Sequence, residues 1–221
     1  MRLFALGPRL AACAKLVRPG CRIADIGTDH GYVAIESLRD GRISRAILCD
    51  KNERPLRRAE GNILALGLSD YAQTRLGDGL APLKPNEADC ISIAGIGGML
   101  MIGILQNGAD LLCTTQRLVL QPQSDIHNVR KHVHLAGFKI CNERMIFEGR
   151  FYTIIRCERG RDTEYSDVEY LLGKCLIERK DAVLKQYLQY RVAECERILR
   201  AHEVAEVIKD KNMCGEVLAC L

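Results

Sequence analysis

The chain has 221 residues, 48% of them hydrophobic and 27% charged, with a formal net charge of +4. That length suits one ordinary domain with a small appendage, and the apolar share is enough for a real core. The composition excludes a disordered or fibrous chain, and no apolar run reaches the ~18 residues that a membrane-spanning helix needs.

The first run, "MRLFALGPRLAACAKLV", is interrupted by Arg9 and Lys15 and is followed by no cleavage-site pattern. It predicts an amphipathic helix and not a secretory leader. Apolar strand-like runs then alternate with helical ones. The strand runs are Cys21–Gly27, Arg45–Lys51, Ala72–Asp78, Ala88–Gly95 and Arg117–Gln123. Helical runs lie between them; in one, Leu56, Ala59, Ile63 and Leu66 share a face. Ser124 is placed to cap the last of these helices and Gly137 to end it.

Strict β-α alternation implies a parallel sheet with helices on both faces. Two further strands, "FKICNERMIFE" and "RFYTIIRCER", follow with so short a link that they must form an antiparallel hairpin. A doubly wound α/β sheet ending in a hairpin resembles the S-adenosylmethionine-dependent methyltransferase fold more than a dinucleotide-binding one. This domain is expected over residues 1–160. Residues 161–221 lack a strand pattern. Leu184, Leu188, Val192, Cys195 and Leu199 form a stripe at helical spacing, flanked by Lys185, Arg191, Arg197 and Arg200. They predict a helical, coiled-coil-like domain, either a solvated helix packed on its neighbour or an RNA-binding surface.

The eleven cysteines are scattered singly, with no C-x-x-C pair, which fits reduced thiols in a cytoplasmic protein better than a disulfide scaffold. His127, His132 and His134 fall on different faces of a helix, so no metal site is expected. The net charge of +4 permits a polyanionic partner without requiring one.

The chemistry concentrates in "IADIGTDHGYVAIE". A dinucleotide fold would place G-x-G-x-x-G here, and a phosphate loop would need Gly-Lys-Ser/Thr. Gly27-Thr28-Asp29-His30-Gly31 has neither. Its acids suit a cationic ligand such as the ammonium and sulfonium of S-adenosylmethionine. Asp25 can take the ammonium, while Gly27 lets the backbone come close. Asp50, at the second strand end, can accept two ribose hydroxyls, and Asp78-Gly79, at the third, the adenine amino group. Singly, each acid is equally well a turn residue or helix cap; together they form a coherent site. The fourth strand runs into "IAGIGGML", where Ala94, Gly95, Gly97 and Gly98 leave either an open floor for a flat ring or close helix–strand packing. It carries neither an Asn/Asp-Pro-Pro-aromatic motif nor a cysteine nucleophile. Gln121-Pro122-Gln123 ends the fifth strand with amides able to read a base edge.

"ADIGTDHGY", "GDGL", "IAGIGGM" and "LVLQPQ", in this order and spacing, resemble the bacterial tRNA (adenine-22-N1)-methyltransferase family, across roughly residues 1–160 with a looser match beyond. The resemblance implies a class I methyltransferase domain, S-adenosylmethionine as donor, tRNA as substrate and a helical C-terminal domain. Two positions depart from the family pattern: Gln123 where Asn is usual, and Ile96 where Met is usual. Adenine N1 carries a lone pair, so methylation there needs no base. The enzyme must instead unstack the adenine, align N1 and stabilise a cationic product. Asp29 is the candidate stabiliser, and His30 and Tyr32 the candidates to position or stack the base, though a helix cap and a core residue are their plainer roles. Two other functions stay open: a methyltransferase for a small molecule, and a non-catalytic RNA-binding protein with a vestigial pocket.

Overall fold

The computed structural model describes residues 6–202 and 204–221. The chain divides into two compact units, residues 1–163 and 164–221.

The first unit opens with α1 (Pro8–Leu16), where Pro8 supplies a preset φ at a position whose N–H needs no partner. Residues 1–5 of the predicted N-terminal helix lie outside the described residues. The alternation follows: β1 (Cys21–Ile26), α2 (Tyr32–Arg39), β2 (Ile43–Asp50), α3 (Glu53–Ala65), β3 (Ala72–Leu76), β4 (Cys90–Ile96), α4 (Gly98–Asn107), α5 (Ala109–Leu112), β5 (Arg117–Pro122) and α6 (Ile126–Leu135). The hairpin β6 (Phe138–Phe147) and β7 (Phe151–Arg159) completes the unit.

The seven strands form one sheet in the order β3-β2-β1-β4-β5-β7-β6. The first five are parallel, while β7 runs antiparallel to β5 and β6, with Phe147 opposite Phe151 at the turn. The apolar runs of β1 and β4 are central: Ile23, Ala24, Ile91 and Ile93 are fully buried, as strands covered on both faces must be. Helix α3 buries Leu56, Ala59 and Ile63, and Leu66 packs against the same core. Burying one such side chain stabilises the fold by about 1.5–3 kcal/mol.

Two local expectations are corrected. Ser124 does not cap α6. The cap residue is Asp125, in a left-handed conformation (φ 51°), while the Ser124 hydroxyl accepts the Gly98 N–H at 3.2 Å and donates to Asp125 at 2.7 Å. The predicted helix after β4 is broken at Gly108 into α4 and α5. A Cβ at Gly108 would stand 2.3 Å from Leu80 Cδ1, so this break lets the chain approach closely.

The second unit is helical: α7 (Asp167–Leu172), α8 (Lys174–Glu178), α9 (Ala182–Leu199) and α10 (Ala205–Cys220). Ser166 and Glu169 close a reciprocal capping box on α7, and Asp181 caps α9. Helices α9 and α10 pack together, with Cys195 and Cys214 both beside Asp210; Leu184 and Leu188 of α9 are also buried. The stripe's polar flank is partly spent on this packing, because Arg191 pairs with Asp210 of α10 and Glu196 with Lys211 at 3.1 Å. All eleven cysteines are free thiols. Among the described residues no helix is long and apolar enough to cross a membrane.

Candidate active site

Strand order reverses between β1 and β4, since the chain builds outward from β1 through β2 and β3, then returns to the other side of β1. Ligands of open α/β sheets bind at such a switch point, beyond the carboxyl ends of the strands. Two hollows lie there and meet at Gly27 and Ile96.

The larger, about 350 Å³, is lined by Arg9, Asp25, Gly27, Thr28, Asp29, His30, Tyr32, Ala94, Gly95 and Gln123, among others. The smaller, about 210 Å³, is lined by Gly27, Asp50, Asn52, Asp78, Gly79, Ile96, Leu100 and Ile104, among others. Most of the residues singled out from the sequence line one or other of these hollows; Gln121, Gly97 and Gly98 are among those that line neither.

The turn between β1 and α2 is shaped by its glycines. Gly27 and Gly31 both have positive φ (67° and 75°), a region that suits glycine, and Asp29 between them is held at φ 47°. A Cβ on Gly27 would meet nothing within 4 Å, so its backbone stays open to a ligand. Gly98 has the opposite use. A Cβ there would stand 2.3 Å from the Ser124 carbonyl oxygen, so it serves close packing of α4 against the loop after β5. Gly95 faces the cleft, with Arg9 and Gln123 nearest its virtual Cβ.

Asp25 is only 4% exposed and accepts a 2.8 Å hydrogen bond from Thr28 Oγ1. Burial pushes its carboxyl up to about 6, outweighing the opposing effect of the Thr28 hydrogen bond. A carboxylate so placed gains most from a cation arriving beside it. Asp50 accepts the Asn52 N–H at 2.8 Å through Oδ1. Asp78 lies past the end of β3, exposed at the rim. His30 and Tyr32 stack with ring centroids 4.9 Å apart and planes within 4°. Asp29 lies at the mouth, its side chain 61% exposed, 3.7 Å from His30 and 3.8 Å from Arg58.

Gln121 is fully buried. Its Oε1 accepts from Arg9 at 2.6 Å and its Nε2 donates to the Pro122 carbonyl at 3.0 Å. Its amide therefore works inside the protein, and the expectation that it reads a base edge is corrected. Gln123 faces the cleft instead, its Oε1 held at 2.7 Å by Arg150.

Sequence reasoning missed Arg9, which reaches the cleft from α1 and is braced by Gln121, by Glu148 at 3.8 Å and by the Tyr152 ring at 5.3 Å. In the sequence it registers only as a charge interrupting an apolar run. Leu100 and Ile104 were also missed; their i, i+4 spacing reads as core, yet Leu100 is 55% exposed and both line the smaller hollow.

A doubly wound sheet of this order, closed by an antiparallel hairpin and carrying acids at the ends of its first three strands, defines a class I methyltransferase. A methyltransferase-domain family model matches residues 6–155. The chain is 33% identical over 196 residues to the tRNA (adenine(22)-N(1))-methyltransferase of Bacillus subtilis, covering 86% of this chain and 82% of that one. It belongs to that bacterial tRNA methyltransferase family. Among solved structures, a Streptococcus pneumoniae protein in complex with S-adenosyl-L-methionine superposes with a TM-score of 0.89 at 31% identity, covering 97% of this chain and 100% of that one. The Bacillus subtilis m1A22 tRNA methyltransferase TrmK gives 0.78 at 29% identity, covering 98% and 97%.

Proposed function

We propose that this chain transfers a methyl group from S-adenosylmethionine to N1 of an adenine in tRNA, adenine 22 in the numbering its relatives carry. One observation carries this reading: a single cleft joins a buried carboxylate, a ribose-height acid and an apolar floor to an open mouth bearing Asp29 and the His30–Tyr32 stack.

The residues fit the donor. Asp25 would take its ammonium, gaining the cation that a buried carboxylate lacks. Arg9, held at the wall by Gln121, would take its carboxylate. Asp50 would accept from its ribose hydroxyls. Asp78 and Gly79 would meet its adenine over Ile96, Leu100 and Ile104. When bound, the donor supplies an electrophilic methyl group on a sulfonium.

The rest falls to the protein and the substrate. Adenine N1 attacks with its own lone pair, so no side chain has to remove a proton first. The chain's task is to receive an unstacked adenine and hold its Watson–Crick edge toward the donor. Ala94 and Gly95 would form the floor, and His30 and Tyr32 a flat platform. Methylated adenine is cationic, and the Asp29 carboxylate at the mouth would stabilise that charge as it forms.

Incubating the purified chain with isotope-labelled donor and either unmodified tRNA or free adenosine tests this reading. Label in tRNA alone supports it. Label in adenosine at a comparable rate would favour a small-molecule enzyme.

A further inference from the structure

The cleft presents a difficulty for a nucleic acid. Asp25, Asp29, Asp50 and Asp78 line it against two cations, Arg9 and Lys51, so an adenine delivered there brings its flanking phosphates toward a surplus of carboxylates. With a net charge of only +4, an evenly spread positive surface offsets little of that repulsion. Positive charge must be concentrated beside the mouth.

It is concentrated on α3. This helix starts directly after Asp50, so its first two turns stand at the carboxyl edge of the sheet, level with the cleft. Arg54, Arg57 and Arg58 fall at i, i+3 and i+4, one exposed face opposite the buried Leu56, Ala59 and Ile63. Lys51, just before the helix, is also exposed. With Glu53, the three arginines line a shallow hollow of about 430 Å³. One partner is already present, since Arg57 lies 3.1 Å from Glu53. Their side chains are 76% and 66% exposed, so water and salt screen that pair and a phosphate can displace it.

The ridge is tied to the mouth. Arg58 Nη1 is 3.5 Å from His30 Nε2 and 3.8 Å from Asp29 Oδ1. Asn62, one turn further along α3, donates to the His30 carbonyl at 2.9 Å. The face that carries the guanidiniums is thus anchored to the turn that carries the candidate product-stabilising acid.

We infer that the Arg54–Arg57–Arg58 ridge of α3 is the surface on which the sugar–phosphate backbone of tRNA docks, beside the nucleotide that enters the cleft. The inference rests on the tRNA reading above. Guanidinium is suited to the role, because its planar donor fork matches phosphate oxygens. Docking there offsets the repulsion from the cleft acids and brings the backbone alongside Asp29 without any contact to base edges. The ridge therefore contributes affinity and register, and sequence preference must come from elsewhere.

The test uses the full chain with Arg54→Gln and Arg57→Gln combined; Arg58 is left intact because it touches Asp29. At about 0.15 M salt, KM for tRNA should rise roughly tenfold, and the slope of log affinity against log salt should flatten by about two, one per lost phosphate contact. S-adenosylmethionine affinity, read by calorimetry, should not change. Arg54→Lys with Arg57→Lys should recover most of the loss, because charge is retained and only the fork is removed. Wild-type KM and salt slope in the double glutamine variant would overturn the inference. A loss that appears instead in Arg197→Gln with Arg200→Gln, at the C-terminal end of α9, would overturn it as well. A wild-type chain that neither binds nor methylates tRNA is a separate result, which defeats the functional reading itself.

Discussion

The Arg9 guanidinium donates a 2.6 Å hydrogen bond to Oε1 of the fully buried Gln121, joining the N-terminal helix to the end of the fifth strand. Gln121 thereby fixes a cation at the wall of the cleft that Arg9 lines. Arg9→Ala should weaken S-adenosylmethionine binding by about 1.5–3 kcal/mol, the range for a hydrogen bond to a charged group. Gln121→Leu should weaken it in the same direction but less, since the cation is kept and only its brace is lost. The double variant should lose less than the sum, because both changes act on one contact. Calorimetric affinities at the wild-type value in both single variants would remove Arg9 from the donor site.

With Asp25 as the proposed partner of the donor's ammonium, both donor binding and stability should depend on pH. Its folded carboxyl titrates at about 6, above the ordinary 3.8, because burial disfavours the charged form. A raised folded value means the fold prefers the protonated acid. That preference is fully expressed below the unfolded value and is lost as pH climbs through the interval to the folded one. In the donor-free protein at neutral pH the ionised carboxylate therefore costs about 3 kcal/mol. Asp25→Asn should stabilise the donor-free chain at pH 7 to 8, with an advantage that shrinks toward nothing near pH 4. Donor affinity should rise between roughly pH 5 and 7 in the wild type, as Asp25 ionises to meet the ammonium, and stay flat in the variant. Denaturant titrations at several pH values check the first claim; a pH-independent gap would contradict it.

Much of this was legible in the sequence, for reasons that differ by residue. Alternation with helical runs placed every strand to within a few residues; the central β1 and β4 were clearest, because strands covered on both faces tolerate few polar interruptions, whereas the edge strand β3 buries no residue. The strand-end acids and the Gly27–Gly31 turn stood out jointly, because three acids at successive strand ends beside a glycine turn form one coherent site, although each acid alone could be a turn residue or helix cap. Periodicity could not show where a side chain goes once two distant elements meet. Arg9 and Gln121 are separated by 112 positions, and only the packing of α1 against the sheet brings them together. Ser124 looked like a helix cap until the left-handed Asp125 took that place. The glycines after β4 looked alike, yet Gly95 faces the cleft and Gly98 packs against backbone.

A second buried relationship bears on stability alone. Arg130 of α6 and Glu143 of β6 are 1% and 0% exposed and meet at 2.8 Å. Glu143→Ala should destabilise the chain by about 3–5 kcal/mol, because it leaves a buried guanidinium without its carboxylate. Arg130→Met combined with Glu143→Leu should recover part of that loss, since the two charges of the pair are removed together. Chemical denaturation of the three proteins measures this. A single variant as stable as the double one would show that the pair is solvated in solution.

Methylation of adenine N1, with Asp29 stabilising the cationic product, can be checked by product analysis paired with kinetics. Unmodified tRNA is incubated with the enzyme and labelled donor, digested to nucleosides and separated, with the modified position mapped by reverse transcription. The expected product is 1-methyladenosine at position 22. Asp29→Ala should lower kcat by about 10²- to 10³-fold, the range for losing one preorganised electrostatic group, while donor affinity changes little. A methylated pyrimidine or N6-methyladenosine as the product would contradict the reaction. The right product, formed by the Asp29→Ala variant at the wild-type rate, would leave the reaction standing and remove Asp29 from it.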